Sequence, residues 1–528
     1  MDEREIFIKI FKRFWFRKSG GRKMNLLKEP WIPVRNGAKF QQITYEDLLC
    51  LEQADLQVSL PRDDFEMACI QMLAAMTQVI FMPQDKKELR ARIKTPLSEK
   101  EYHEGIKKYE EWFDLDHPEW PFMQIRDVKG KMTSIQKMMI GMPEESSTSP
   151  NAHCFFNEPT EIHAVCPGVT AIALFNQASN SPSFGGGFKG SLRGAAPVTT
   201  MIMGKNLRDT VWMNVLSEDK VKQLLPWFKK VNDMPVWVDP IEKGDIQPHT
   251  IGLLRGLFWQ PAHIEMEKAE IEQSCDLIGG DSQKCYMGFK KERFVYDLKK
   301  PWTHLYTPRQ FDREGNVKYI SFNRENPIWT QMDQYLFEKI NNQKEGYSSA
   351  AVVANHADDA ISLLIGGYKA SKASIEYRRH EMYSIPAGWN SDFRDKIIEI
   401  VEIGLAMEKI LVDKILYPLV KSNKKKGEKK GEKVVGVAIN TKAAVLYFHF
   451  TEPYIHNMLR DTSLREFIQA KSTFIKDLSK ICFDIFERVT QPYIHKPELI
   501  GTVALARKKL EKLLKELERG HNVKGGAI

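Results

Sequence analysis

The apolar positions of this chain change rhythm twice along its length. From Asp63 to Phe81, Met67, Ile70, Leu73, Met76 and Ile80 recur at helical spacing, which predicts a buried helix. Residues 98–112 carry a second helical pattern rich in charge. Near the start, Pro30 and Pro33 flank Trp31 and predict a short edge strand and a turn. Between about 115 and 205 no long period holds, and Pro, Gly, Asn, Ser and aromatic residues follow one another irregularly. Long irregular stretches with many aromatics read as ordered functional loops. Short strand-like runs and turns fill 250–330, and Asp358 to Tyr368 reads as a helix stopped by Gly366-Gly367.

Past Pro386 the pattern is helical throughout. The first helix runs from about Asp392 to Leu419 with Ile397, Val401, Leu405, Ile410 and Ile415 on one side. The second starts at Thr441 and carries Pro453 as an expected kink. The third opens on Ser463-Leu464-Arg465-Glu466, a capping box. The fourth has Pro497 in its first turn and Gly520 past its expected end. The fold class expected is therefore α+β. A large irregular mixed α/β amino-terminal body spans residues 24–385, and an all-α four-helix bundle follows over 386–528. Residues 1–23 read as a basic extension ahead of a second start at Met24.

Composition changes this picture little, but charge placement does. The chain has 528 residues and a net charge of +8. Residues 1–23 hold eight Lys/Arg against three Asp/Glu, and residues 421–433 hold seven Lys against two Glu, so each carries +5 and the remainder is slightly acidic. Contact with nucleic acid would come from local patches rather than a global field. No uninterrupted apolar run is long enough for a membrane span. The seven cysteines are odd in number and lack a CxxC, which suits reduced thiols in the cytoplasm. His163 and Cys166, with Cys275 and Cys285, are the nearest approach to a metal set.

Candidate chemistry concentrates in Ser183-Phe-Gly-Gly-Gly-Phe-Lys-Gly-Ser-Leu-Arg-Gly194, where five glycines stand among two aromatics and two cations. Glycine admits positive φ and lets another molecule touch the main chain. Lys189 and Arg193 supply charge suited to phosphate. The order of residues excludes a P-loop, and no zincin, EF-hand or nucleophile-elbow motif occurs. His356 and Asp359 could serve a metal-dependent nuclease, or Asp359 could simply favour a helix start. Arg378-Arg379-His380-Glu381 could grip phosphate or form an exposed charged turn.

Several blocks in order carry a resemblance. They are Ser59-Leu-Pro-Arg-Asp-Asp64, Pro121-Phe-Met-Gln124, Thr170 to Ala178, Phe184-Gly-Gly-Gly-Phe-Lys189, Pro197-Val-Thr-Thr200 and Arg255 to His263. With Met24-Asn25-Leu26-Leu27 they resemble the CasA family, the large subunit of the type I-E CRISPR surveillance complex Cascade. The resemblance implies a non-catalytic antiviral-defence subunit. Such a subunit detects the protospacer-adjacent motif (PAM) in double-stranded DNA, helps open the duplex and recruits the helicase-nuclease. The partners implied are guide RNA, the backbone and 5′-handle-binding subunits and the small subunit, with no membrane. The alternatives are a metal-dependent nuclease and a purely structural scaffold.

The resemblance also implies site residues. The glycine loop is Gly185, Gly186 and Gly187, with Lys189 beside it. A basic finger would be Lys291 or Arg293, within Gly288 to Phe294. The strand-separating wedge aligns with Ser371, Lys372 and Ala373, and Lys372 stands where the family carries glutamine. A guide-end loop matches Phe155, Phe156 and Asn157. Some members bind zinc through two CxxC pairs. Here Cys166 and Cys275 keep one position of each pair and Val169 replaces another, which implies that zinc is absent or weak.

Overall fold

The computed structural model describes residues 24–52, 55–142, 161–231, 233–322, 326–341, 344–371, 374–389, 391–420 and 439–523. Trp31 is fully buried, and its indole N–H donates to the Leu26 carbonyl at 2.7 Å. Strand β1 (Ile32–Asn36) follows and pairs antiparallel with β2 (Lys39–Ile43) and β3 (Gln57–Val58). It is thus central, not an edge. Pro33 is tolerated because the β3 ladder runs out there, after one bond from the Ser59 amide to the Pro33 carbonyl.

Helix α1 (Asp63–Ile80) forms where the period predicts it, with Asp63, Asp64 and Glu66 in its first turn, where the helix dipole favours acid. The charged pattern at 98–112 is helical only over Glu99–Ile106, behind a Ser98/Glu101 capping box, and continues as turns. After β4 (Met132–Ser134), the stretch expected to be irregular contains α2 (Pro167–Ser179), buried along its whole length and packed on α1. A helix enclosed on all sides needs no polar face, so its period is invisible in the sequence. Strands β5 (Thr199–Met203), β6 (His263–Lys268) and β7 (Tyr286–Glu292) complete the scaffold, with β7 central between β4 and β6. The Pro121–Gln124 block lies in this core: Gln124 accepts from the Met266 amide and donates to the Leu115 carbonyl.

The expected helix at Asp358–Tyr368 is instead strand β8 (Ile361–Ser371), paired with β5 and with β9 (Ser374–Ile385). A central strand covered on both faces shows a continuous apolar run rather than alternation. Gly366 and Gly367 stop nothing. A Cβ on Gly366 would lie 2.5 Å from Met67 Sδ, and one on Gly367 2.8 Å from the Pro197 carbonyl. Arg378–Glu381 accordingly lies on β9, not on a turn.

Beyond β9 come α3 (Ser391–Lys409), a wider π-helical segment (Ile410–Leu416) and a last turn to Val420. Helices α4 (Ile439–Met458), α5 (Phe467–Thr490) and α6 (Pro497–Val523) follow, and α5 packs on all three others. Pro453 lies inside α4. The Ser463 capping box is not formed: Ser463 sits within a short helix (Asp461–Arg465) that breaks at Glu466. Helix α6 runs through Gly520 to Val523, since an exposed glycine near a helix end costs little there. The bundle meets the body through Trp329, whose ring lies where a Gly404 Cβ would be, at 2.7 Å. Among the described residues no helix is long and apolar enough to cross a membrane.

Candidate nucleic-acid interface

All three glycines of the loop take positive φ: +79° at Gly185, +56° at Gly186 and +88° at Gly187. Side-chain-bearing residues rarely hold such a run. The turn is closed by the Phe188 amide bonding the Gly185 carbonyl at 3.0 Å. Phe184 anchors it, packing on Phe188 and on buried Phe289 of β7. Gly186 and Gly187 stay exposed, and a Cβ on Gly186 would meet nothing within 4 Å. At Gly186 the Cα side of the backbone therefore faces open space, whereas a Cβ on Gly187 would meet Arg293 Nη1 at 2.6 Å.

The fold brings the predicted basic finger to this loop. Arg293 Nη1 donates to the Gly186 carbonyl at 3.0 Å. Lys291 lies over the Phe184 ring at 4.5 Å. Both candidates thus flank the same turn, Arg293 bonding its backbone and Lys291 capping its aromatic anchor. A half-exposed cation on an aromatic face is worth about 0.5–1 kcal/mol, enough to bias a rotamer. Lys290 falls on the opposite face of β7 by strand alternation. Lys189 is exposed, 3.8 Å from Asp297 and 5.9 Å from the Tyr296 ring centre. Such a surface pair contributes only about 0–1 kcal/mol, so the ammonium can be recruited to another anion.

Arg193 departs from expectation. It is 3% exposed and is no phosphate contact. Its guanidinium donates to Thr199 and Thr307 hydroxyls at 2.8 and 2.7 Å, to the Ser179 carbonyl at 2.6 Å and to Asn180 Oδ1 at 2.5 Å. Burial lowers its pKa to about 9. Nothing local in the sequence separates this arginine from Lys189, because its partners come from three segments, at 179–180, at Thr199 and at Thr307.

Of the wedge residues, Ser371 ends β8 and pairs with Ser374, whereas Lys372 and Ala373 lie outside the described residues. Phe155, Phe156 and Asn157, residues 1–23 and the lysine-rich stretch 421–433 also lie outside them. Arg378 pairs with Asp63 at 2.5 Å, and Arg379 donates to the Asn326 carbonyl. Both arginines are thus engaged with protein.

The remaining candidates resolve as structural contacts. His356 is buried, with Nε2 2.8 Å from the Met213 carbonyl and Nδ1 3.1 Å from Asp359 Oδ2. Cys166 and Cys275 do meet: the Cys166 amide donates to Cys275 Sγ at 3.3 Å. Hydrogen bonding from Cys166, first of all, holds the Cys275 thiol below the ordinary cysteine range. Cys285 Sγ bonds the Gln273 carbonyl, and the His163 amide bonds Asp276. Among the described residues no three His, Cys, Asp or Glu side chains are grouped to hold a metal. Two thiols do not make the four-ligand cage of a structural zinc.

The fold defines a class: a mixed α/β body with a carboxy-terminal helical bundle, on which this chain carries a glycine turn flanked by cations. Comparison with known proteins gives the family. It belongs to the CRISPR-associated protein Cse1 family, whose model matches residues 25–485. The CasA/Cse1 protein of Thermus thermophilus is 22% identical over 395 residues, covering 69% of this chain and 72% of that protein. The solved structure of Thermobifida fusca Cse1 superposes with a TM-score of 0.68 at 15% identity, over 94% of this chain and 98% of that one. Cse1 from Acidimicrobium ferrooxidans gives 0.67 at 14% identity, over 96% and 100%. A chain of a structure titled a CRISPR RNA-guided surveillance complex gives 0.65 at 14% identity, over 92% and 99%.

Proposed function

We propose that this chain is a non-catalytic subunit of an RNA-guided surveillance complex, and that it senses the short motif flanking a double-stranded DNA target. Family membership and the likeness to a chain of such a complex support the setting. The observation that carries the reading is the glycine turn, bare at Gly186 and braced by Arg293 and Lys291. A backbone without side chains can enter a minor groove only ~6 Å wide, and the cations beside it would meet the flanking phosphates. Minor-groove readout is degenerate, so several related motifs would be accepted. The hairpin of β8 and β9, with Lys372 near its tip in sequence, would part the strands beyond the motif. Guide RNA, the neighbouring subunits of the complex and a helicase-nuclease recruited after opening are the partners of this reading. No zinc enters it, and His356 has no catalytic part in it.

The test is target capture by the reconstituted guide-RNA complex, with and without this chain, on duplexes randomised beside the guide-matched sequence. A preference for a few bases that appears only with the chain is the expected result. Equal capture with and without it would make the chain a scaffold and refute motif sensing.

A further inference from the structure

Arg193 is a buried cation with no carboxylate in ion-pair range among the described residues. Its hydrogen bonds continue into a buried network. Arg193 Nη2 donates to Asn180 Oδ1, Asn180 Nδ2 donates to Asn176 Oδ1 at 3.1 Å, and Asn176 Nδ2 donates to the Tyr368 hydroxyl at 2.7 Å. The Tyr368 hydroxyl in turn donates to Asp64 Oδ2 at 2.7 Å. Asp64 also receives the Arg62 fork at 3.0 and 2.6 Å. Every donor in the chain points the same way, from buried guanidinium to buried carboxylate. Aligned hydrogen bonds polarise one another, and in a dry interior any broken link leaves a polar group unpaired.

The members of this chain sit on elements that the interface needs in register. Arg193 lies at the end of the glycine segment, Asn176 and Asn180 lie on α2 and its cap, Tyr368 lies on β8, and Asp64 lies in the first turn of α1. Tyr368 is three residues from Ser371, where the β8–β9 ladder ends. Pairing with β5 ends at Gly366, so beyond it the hairpin is a two-stranded ribbon. There the Tyr368 hydroxyl ties β8 to α2 and α1 together, opposite the Arg378–Asp63 ion pair that ties β9 to α1.

We propose that Tyr368 is a positioning residue whose hydroxyl holds the β8–β9 hairpin at a set distance from the glycine turn, so that motif capture and strand opening act on adjoining base pairs. This inference rests on the motif-sensing reading above. The test uses the reconstituted complex carrying Tyr368→Phe. One readout is capture of a motif-bearing duplex, and the other is opening, followed by a fluorescent base analogue at the first pair beyond the motif. Capture should stay within about threefold of wild type while the opening rate falls about tenfold, the scale of one buried charge-linked hydrogen bond. A duplex already unpaired at those first positions should bind the variant as it binds wild type. Asn176→Ala breaks the same chain from the helix side and should show the same split. Opening at the wild-type rate in both variants overturns the proposal, as does a parallel loss of capture and opening that the unpaired duplex does not rescue. Capture by the wild-type complex that ignores the motif would overturn the motif-sensing reading and this inference with it.

Discussion

Replacing Gly186 by alanine and by asparagine separates two reasons for having glycine there. One reason is conformational, since φ is +56°. Alanine in that region costs about 1–2 kcal/mol, whereas asparagine occupies it with a smaller penalty. The other reason is proximity to a ligand. Within the chain a Cβ at Gly186 meets nothing within 4 Å, so neither variant clashes with the protein itself. If conformation alone matters, asparagine is nearly silent and alanine is the worse change. If the turn enters a minor groove, the order reverses. Asparagine then thrusts a branched polar side chain into a ~6 Å channel, and alanine adds one methyl. Losing one close groove contact at about 1–3 kcal/mol gives a fall in affinity of about 5- to 150-fold, and asparagine should sit at the upper end. The assay is equilibrium binding of the motif-bearing duplex to the reconstituted complex at one fixed salt concentration, alongside thermal melting of the isolated chain. We expect Gly186→Asn to lose more than about tenfold in binding while its melting temperature stays within ~2 °C of wild type. Wild-type binding by the asparagine variant, with weakened binding by the alanine variant, would refute the groove argument.

Gly187 should behave differently, because a Cβ there would come within 2.6 Å of Arg293 Nη1 and push the finger off the Gly186 carbonyl. Gly187→Ala and Arg293→Ala should therefore combine less than additively in duplex affinity, and strict additivity would separate the two. Arg193→Met should destabilise the chain by about 3–5 kcal/mol, because it strips donors from a dry polar cluster, and a wild-type denaturant midpoint would contradict this. His304 is fully buried, and burial first, then the Arg193 charge, holds its pKa well below the ordinary histidine value. It stays neutral when folded, whereas the unfolded chain takes up a proton near pH ~6.5, so its contribution is full above that pH and is lost as pH falls below it. His304→Gln should flatten the fall in denaturant midpoint between about pH 7 and 5, and an unchanged slope would refute the assignment.

Much of the architecture was legible without coordinates, wherever one residue's neighbours in sequence are also its neighbours in space. The bundle helices announce themselves because one face of each is buried and the other is wet, and the period follows; helix α1 is buried without a break from Met67 to Gln78, and only the spacing of its larger apolar residues marks it. The positive φ of the three loop glycines was legible for the same reason, since the cost of that backbone is local. Lys291 and Arg293 were placed near the glycine turn only through the family resemblance, and only the fold shows that both reach it.

Other features could be decided only by the tertiary structure. Strand β8 reads as a helix because enclosure on both faces erases the alternation that marks a strand, and its two glycines serve Met67 and Pro197 rather than a helix stop. Helix α2 hides in irregular text because it has no polar side to set a period. Arg193 and Lys189 look alike in sequence, four residues apart. One is buried among Ser179, Asn180, Thr199 and Thr307, and the other is exposed beside Asp297. Burial and long-range pairing, not residue type, assign their roles. The sequence by itself determined the local backbone chemistry of the turn and the helical periods, because those energies depend on near neighbours. Which cations face outward, and how the hairpin is pinned, depended on contacts between segments up to hundreds of residues apart, and only the folded chain supplies them.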